Sequence, residues 1–158
     1  VRGIPTVVTN APANGSTKNV TAVKGGTTAG ITLPNPKLES YTLCYVARYA
    51  GANRGRIFDT FSENWLSGFW NGSVDVAHHN NWVTPSSGKT GTNWVYNCDS
   101  GNNFRSDGRI RNTAASSTTY MPNDLTINNN SGIGRDISDW EVAISNHLKY
   151  FVCNLPII

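Results

Sequence analysis

The sequence predicts an antiparallel two-sheet β-sandwich, and three observations carry that reading. Apolar and aromatic residues alternate at period two in short runs. Turn chemistry rich in Gly, Pro, Asn and Asp separates the runs. No long segment repeats its apolar residues at helical spacing. The clearest run is 41–49, where Tyr41, Leu43, Tyr45, Ala47 and Tyr49 fall on one face and Thr42, Cys44, Val46 and Arg48 on the other. Its mixed second face predicts a central strand, covered in part on both sides. Beyond the turn-forming residues 51–55, the apolar run 56–61 is expected as its hairpin partner.

Taken in order, residues 1–27 stand apart from the rest. They hold β-prone pieces at 1–10 and 17–23, a turn cluster at 11–16, and no acidic residue. This segment reads either as edge strands of the domain or as an extended arm that pairs with a neighbouring copy. Residues 28–158 read as the sandwich domain. Ile31-Thr-Leu33 stops at Pro34-Asn-Pro36. The aromatic run 64–70 turns at Asn71-Gly72, a strong hairpin dipeptide, into the alternating run 73–77. Strands follow at 81–84, 93–98, 104–106, 109–111 (after the Asp107-Gly108 turn), 125–128, 139–145 and 150–153. Ser145–Lys149 is the one place for a helical turn.

With 158 residues the chain forms one domain, large enough to bury a core. Charged residues make up only 15% and the net charge is +3, with the basic residues scattered. Nucleic acid is therefore not an expected partner. No apolar run approaches the roughly 20 residues that cross a bilayer, so membrane insertion is not expected either. The opening at Val1 and the apolar end at Ile158 read as those of a processed chain or of a module from a longer one. Cys44, Cys98 and Cys153 lack the Cys-x-x-Cys spacing of zinc or redox sites. Two of them can pair and leave one over, or all three can be buried thiols; the sequence does not choose.

Several motifs follow one another in order: Tyr-Thr-Leu-Cys at 41–44 with Arg48-Tyr49, Gly55-Arg-Ile-Phe58, Asn64-Trp-Leu66, Val76-Ala-His78, and Trp82-Val-Thr84. After them come Asn93-Trp-Val95, the Asp107-Gly108 turn, Leu125-Thr-Ile-Asn128, and Ser138-Asp-Trp-Glu-Val-Ala143. Over about residues 28–150 this succession resembles the laminin-G-like, concanavalin A-like jelly-roll superfamily. More narrowly, it is similar to modules repeated in large surface proteins of algae and other microbes. The resemblance implies a jelly roll, an extracellular or cell-surface setting, and a role in architecture, adhesion or glycan binding. Some members are glycoside hydrolases.

Glycoside hydrolysis needs two carboxylates about 5 to 9 Å apart across the scissile bond. The acidic run holds Asp136, Asp139 and Glu141, of which only Asp139 and Glu141 share a strand face, and that pair reads as a solvated strand start. Catalytic residues are therefore expected to be none. No cofactor motif occurs, and calcium is the one ion the resemblance suggests. Asp99, Asn102 and Asn103 are its candidate ligands, on the precedent of rim-loop sites in the resembling family; a second pair is Asn123 and Asp124. Asn and Asp in such loops also cap turns through their own backbone. Of the adjacent His78 and His79, one is expected packed and one exposed. Exposed Trp rings stack on sugars. Trp94 and Trp140 read as buried, whereas Trp70 and Trp82, beside turns, are the glycan-binding candidates. Asn14, Asn19, Asn71 and Asn129 head Asn-x-Ser/Thr sequons and are the glycosylation candidates.

The expected function is a non-catalytic extracellular structural or adhesion module. It would join copies of itself, or neighbouring modules, into a fibrous or filamentous assembly through the N-terminal arm. The alternative is a lectin-like module that binds carbohydrate, with or without calcium. A hydrolase is the third reading.

Overall fold

The structure is a computed structural model, and it describes residues 1–33, 37–114, 118–128 and 137–144. The fold is a sandwich of two antiparallel sheets, with no helix among the described residues. Thirteen strands are seen: β1 (Thr6–Asn10), β2 (Val20–Gly25), β3 (Ile31–Thr32), β4 (Leu43–Arg54), β5 (Phe58–Asp59), β6 (Trp65–Trp70), β7 (Ser73–His79), β8 (Lys89–Thr90), β9 (Val95–Asp99), β10 (Phe104–Ser106), β11 (Arg109–Ile110), β12 (Thr126–Ile127) and β13 (Ser138–Ala143). The seven-stranded sheet runs β1-β2-β13-β4-β9-β10-β11, and the six-stranded sheet runs β3-β12-β5-β6-β7-β8.

The 41–49 stretch lies within β4 and its flank, and β4 is central, paired to β13 on one side and β9 on the other. Tyr41, Leu43, Tyr45, Ala47 and Tyr49 are buried between the sheets, as the alternation requires. The expected hairpin with 56–61 does not form. Instead β4 runs on to Arg54 along β13, and β5 belongs to the other sheet. Asp139 of β13 is the physical reason. Its Oδ2 accepts hydrogen bonds from Asn53 N and Asn53 Nδ2 at 3.0 and 2.9 Å, which holds the chain extended. A Cβ on Gly51 would lie 2.5 Å from the same oxygen, so only glycine passes here. The chain then crosses between the sheets at Gly55, whose carbonyl accepts from Tyr49 Oη at 2.6 Å.

The two Asx-Gly dipeptides behave as their chemistry predicts. Asn71 and Gly72 both have positive φ and join β6 to β7; Asp107 and Gly108 do the same between β10 and β11. Residues 81–84 do not form the expected strand. They contribute one bridge, His78 to Trp82, and Val83 folds under β7 with its N–H donated to Ala77 O.

Residues 1–27 belong to this chain's own seven-stranded sheet, with β1 at its edge and β2 inside it. β1 pairs with β2 over five residues, β2 pairs with β13, and Arg2 bridges to Gly30. The core between the sheets is aromatic. Tyr45 stacks on Phe58 with centroids 3.9 Å apart, Tyr49 meets Phe69 edge-on at 5.1 Å, and Trp140 is fully buried with its Nε1 donating to Ala29 O. The expected strand at 150–153, the helical turn at 145–149, and Asp136, Asn129 and Cys153 lie outside the described residues.

Candidate functional site

Strand alternation decides what each outer face of the sandwich presents. In β6, Trp65 and Phe69 point into the core, so Trp70 points outward; in β7, His79 points in and His78 out. The chain after β7 then brings Trp82 back over the sheet. Trp70 and Trp82 meet edge-to-face with centroids 5.2 Å apart, and His78 meets Trp82 edge-to-face at 4.9 Å. All three are half-buried. The two glycan-binding candidates, distant in sequence terms, thus form one aromatic cluster on the outer face of the six-stranded sheet. His78 is the third member, and sequence reading did not include it. Its signal was available: at period two, His78 shares the outward face of β7. Burial is the main cause that holds the His78 imidazole below its ordinary value, and the nearby Arg56 charge adds to it; a hydrogen bond to Asn64 O opposes them.

The proposed calcium ligands do not converge. Asp99 is the last residue of β9 and faces inward with Asn97 and Val95, fully buried. Its Oδ1 accepts from Tyr41 Oη at 3.1 Å and from Gly101 N at 3.1 Å, and its Oδ2 lies 2.9 Å from His79 Nε2. Asn102 and Asn103 are exposed on the following turn, where Asn103 O accepts from Ser100. Asp99 was read as a loop residue, but β9 extends one residue further than expected, and one residue decides which face a side chain takes. Asp124 likewise serves a turn, accepting from Phe61 N and Ser62 N. No group of three or more His, Cys, Asp or Glu gathers as a metal site among the described residues.

His79 completes this buried network, with Trp65 stacked flat on its ring at 5.2 Å. Burial first, and the Asp99 charge second, push the Tyr41 phenol well above its ordinary range; burial does the same to Tyr45. Of the two histidines, expected as one packed and one exposed, His79 is buried and His78 is half-buried.

The outer face of the seven-stranded sheet is different. Glu141 was expected solvated with Asp139, yet Glu141 is 1% exposed. Cross-strand register places Lys24 and Arg48 on either side of it. Arg48 Nε donates to Glu141 Oε2 at 2.8 Å, Asn10 Nδ2 donates to the same oxygen at 3.0 Å, and Lys24 Nζ lies 3.6 Å from Oε1. Asp139 is engaged by Asn53, so the two acids hold structure on that face. Trp94 is half-buried rather than buried, with the Arg48 guanidinium 5.2 Å from its ring. Beside this cluster Cys44 and Cys98, directly opposite in β4 and β9, form a disulfide.

Three sequons fall within the described residues. Asn71 is exposed at a hairpin tip, Asn19 is exposed, and Asn14 is half-buried, with its carbonyl accepting from Trp94 N. A hollow of about 580 Å³ lies beside Asn71, between its turn and residues 52–55. A second region of interest is a cleft between the edges of the two sheets, where β8 faces β10 and β11. Two adjoining hollows of about 400 and 290 Å³ share Asp75, Lys89 and Asp107.

Comparison with protein-family models, with curated proteins and with solved structures returns no match. The fold places the chain in the class of antiparallel β-sandwich proteins, and its outward features are an aromatic cluster on one sheet and a charged cleft at the open side.

Proposed function

We propose that the chain is a non-catalytic extracellular adhesion module that binds carbohydrate through the outer face of the six-stranded sheet. The observation that carries this reading is the Trp70–Trp82–His78 cluster. Edge-to-face rings hold one another in place for about 0.5–1.5 kcal/mol per pair beyond their burial. Such rings arrive pre-ordered, so a sugar that stacks on them loses little further side-chain freedom on binding. The Cys44–Cys98 disulfide supports an oxidising, extracellular setting, and the jelly-roll resemblance supports the same class of function.

The test is a glycan array, with and without calcium, followed by titration of any ligand found. Trp70→Ala and Trp82→Ala should each weaken binding about tenfold while leaving the β spectrum intact. Silence across the array, or affinity unchanged in both variants, removes this reading.

A second reading, self-assembly through the N-terminal segment, has its own observation. β1 is an edge strand with no charged residue, and Val1, Ile4 and Val7 beside or within it are 89%, 86% and 68% exposed. The edge strands β8 and β11 are two residues long and each carries a cation. Short or charged edges resist pairing with other chains, and β1 has neither protection. Val7→Lys should abolish assembly seen by sedimentation; assembly that survives it removes this second reading.

A further inference from the structure

We infer that the cleft between β8 and β10–β11 is a second binding site, one that takes an oxyanion, the sulfate ester or carboxylate of an acidic sugar. Three observations meet there. The first is a backbone outlier on the floor of the cleft. Asp75 has φ of 68°, in the left-handed region, at the point where β6 and β7 lose register between Gly68 and Phe69. A bulge of this kind re-aims a side chain. Here it turns the Asp75 carboxylate, 2% exposed, onto Ser106 Oγ and toward Lys89 Nζ at 3.5 Å.

The second observation is that both acids of the cleft are committed. Asp75 holds Ser106 and Lys89, and Asp107 Oδ1 accepts from Tyr96 N. The third is that the arginines are not. Arg111 Nε is buried without a hydrogen-bond partner among the described residues, and no hydrogen bond or ion pair engages the exposed Arg109 side chain among them. Two uncommitted guanidinium groups beside an anchored ammonium match the planar, bidentate demand of a carboxylate or sulfate. The hollow they line, about 290 Å³, shares Asp75, Lys89 and Asp107 with the hollow of about 400 Å³, which offers space beside it for the rest of a sugar unit. The site lies between the sheet edges and shares no residue with the aromatic cluster, so it stands or falls independently of that cluster.

Titration calorimetry on the whole chain tests it, with three hexasaccharide probes: sulfated, uronate-containing and neutral. Binding of the sulfated probe alone, the uronate alone, or both supports the site and identifies the group. That binding should weaken at least tenfold in Lys89→Ala/Arg109→Ala, both exposed positions, while any binding of the neutral probe stays unchanged in the same pair. Raising NaCl toward 1 M, where the Debye length falls to about 3 Å, should weaken it as well. Arg111→Ala is the second variant, read alongside a melting curve, and should also weaken binding tenfold. Failure of both anionic probes to bind overturns the inference. So does binding of the anionic probes that the Lys89/Arg109 pair and Arg111 variants leave intact.

Discussion

The two outer faces of the sandwich handle their large side chains in opposite ways. On the seven-stranded sheet, Glu141 is closed in by Arg48, Lys24 and Asn10, and Trp94 lies beneath the same arginine. On the six-stranded sheet, Trp70, Trp82 and His78 lean on one another and stay half-exposed. Both faces carry tryptophan, so composition does not separate them. Partners do. The Arg48 guanidinium on a neighbouring strand lies over the Trp94 ring, whereas on the other face Trp82 lies edge-to-face with Trp70 and with His78. The ring-on-ring cluster is the face proposed above for contact, and the face with the buried, ion-paired Glu141 is the one that holds the fold.

The sealed face can be broken from within. Arg48→Ala leaves Glu141 buried with the half-exposed Lys24 and a neutral amide, and removing one partner of a buried pair costs about 3–5 kcal/mol. Urea denaturation should show a loss of that size, with the glycan affinity of the folded protein unchanged. A loss below about 1 kcal/mol would mean that the face is not sealed by this pair.

The disulfide on the same face should have a comparable but somewhat smaller effect. It closes a loop with a sequence separation of 54, worth about 4 kcal/mol in the chain-entropy model, and removing a native disulfide typically costs about 2–5 kcal/mol. Cys44→Ser/Cys98→Ser should lower the denaturation midpoint and leave the β spectrum of the folded state in place. An unaltered midpoint would show that the strands β4 and β9 hold without their link.

The smallest expected effect belongs to the open face and sharpens the contrast. The His78 imidazole is held below its ordinary value, chiefly by burial, so the unfolded chain binds a proton more readily than the folded one. Its contribution to stability is fully present above the unfolded value of about 6.5 and declines as pH falls through that value toward the depressed folded one. Melting curves from pH 7.5 to 5 should show a slightly steeper decline for the native protein than for His78→Gln. Parallel declines would place His78 outside the cluster energetically.

Much of the fold was legible in the sequence. Alternation in 41–49 marks a central strand, and Asn71-Gly72 and Asp107-Gly108 mark hairpins, because both signals are local and the backbone obeys them locally. Trp70 and Trp82 were singled out because each lies beside a turn; that their rings meet on the outer face of one sheet was not legible. What was not legible rests on contacts between distant residues. The run 56–61 reads as a hairpin partner of β4 until Asp139 draws the strand past Gly51. Asp99 reads as a loop ligand until one more residue of pairing turns it inward to His79. The Asp75 bulge has no turn residue of its own to announce it; it follows from the register between β6 and β7.

By itself, then, the sequence determined the sandwich class, the turns and the inward face of its main strand, all consequences of period-two alternation and of turn residues that act on their neighbours. Only the tertiary structure decided which strands share a sheet, which cysteines pair, which acids are buried and which tryptophans meet. Those outcomes depend on cross-strand register between segments far apart in the chain, and a register is set by the whole packed sheet.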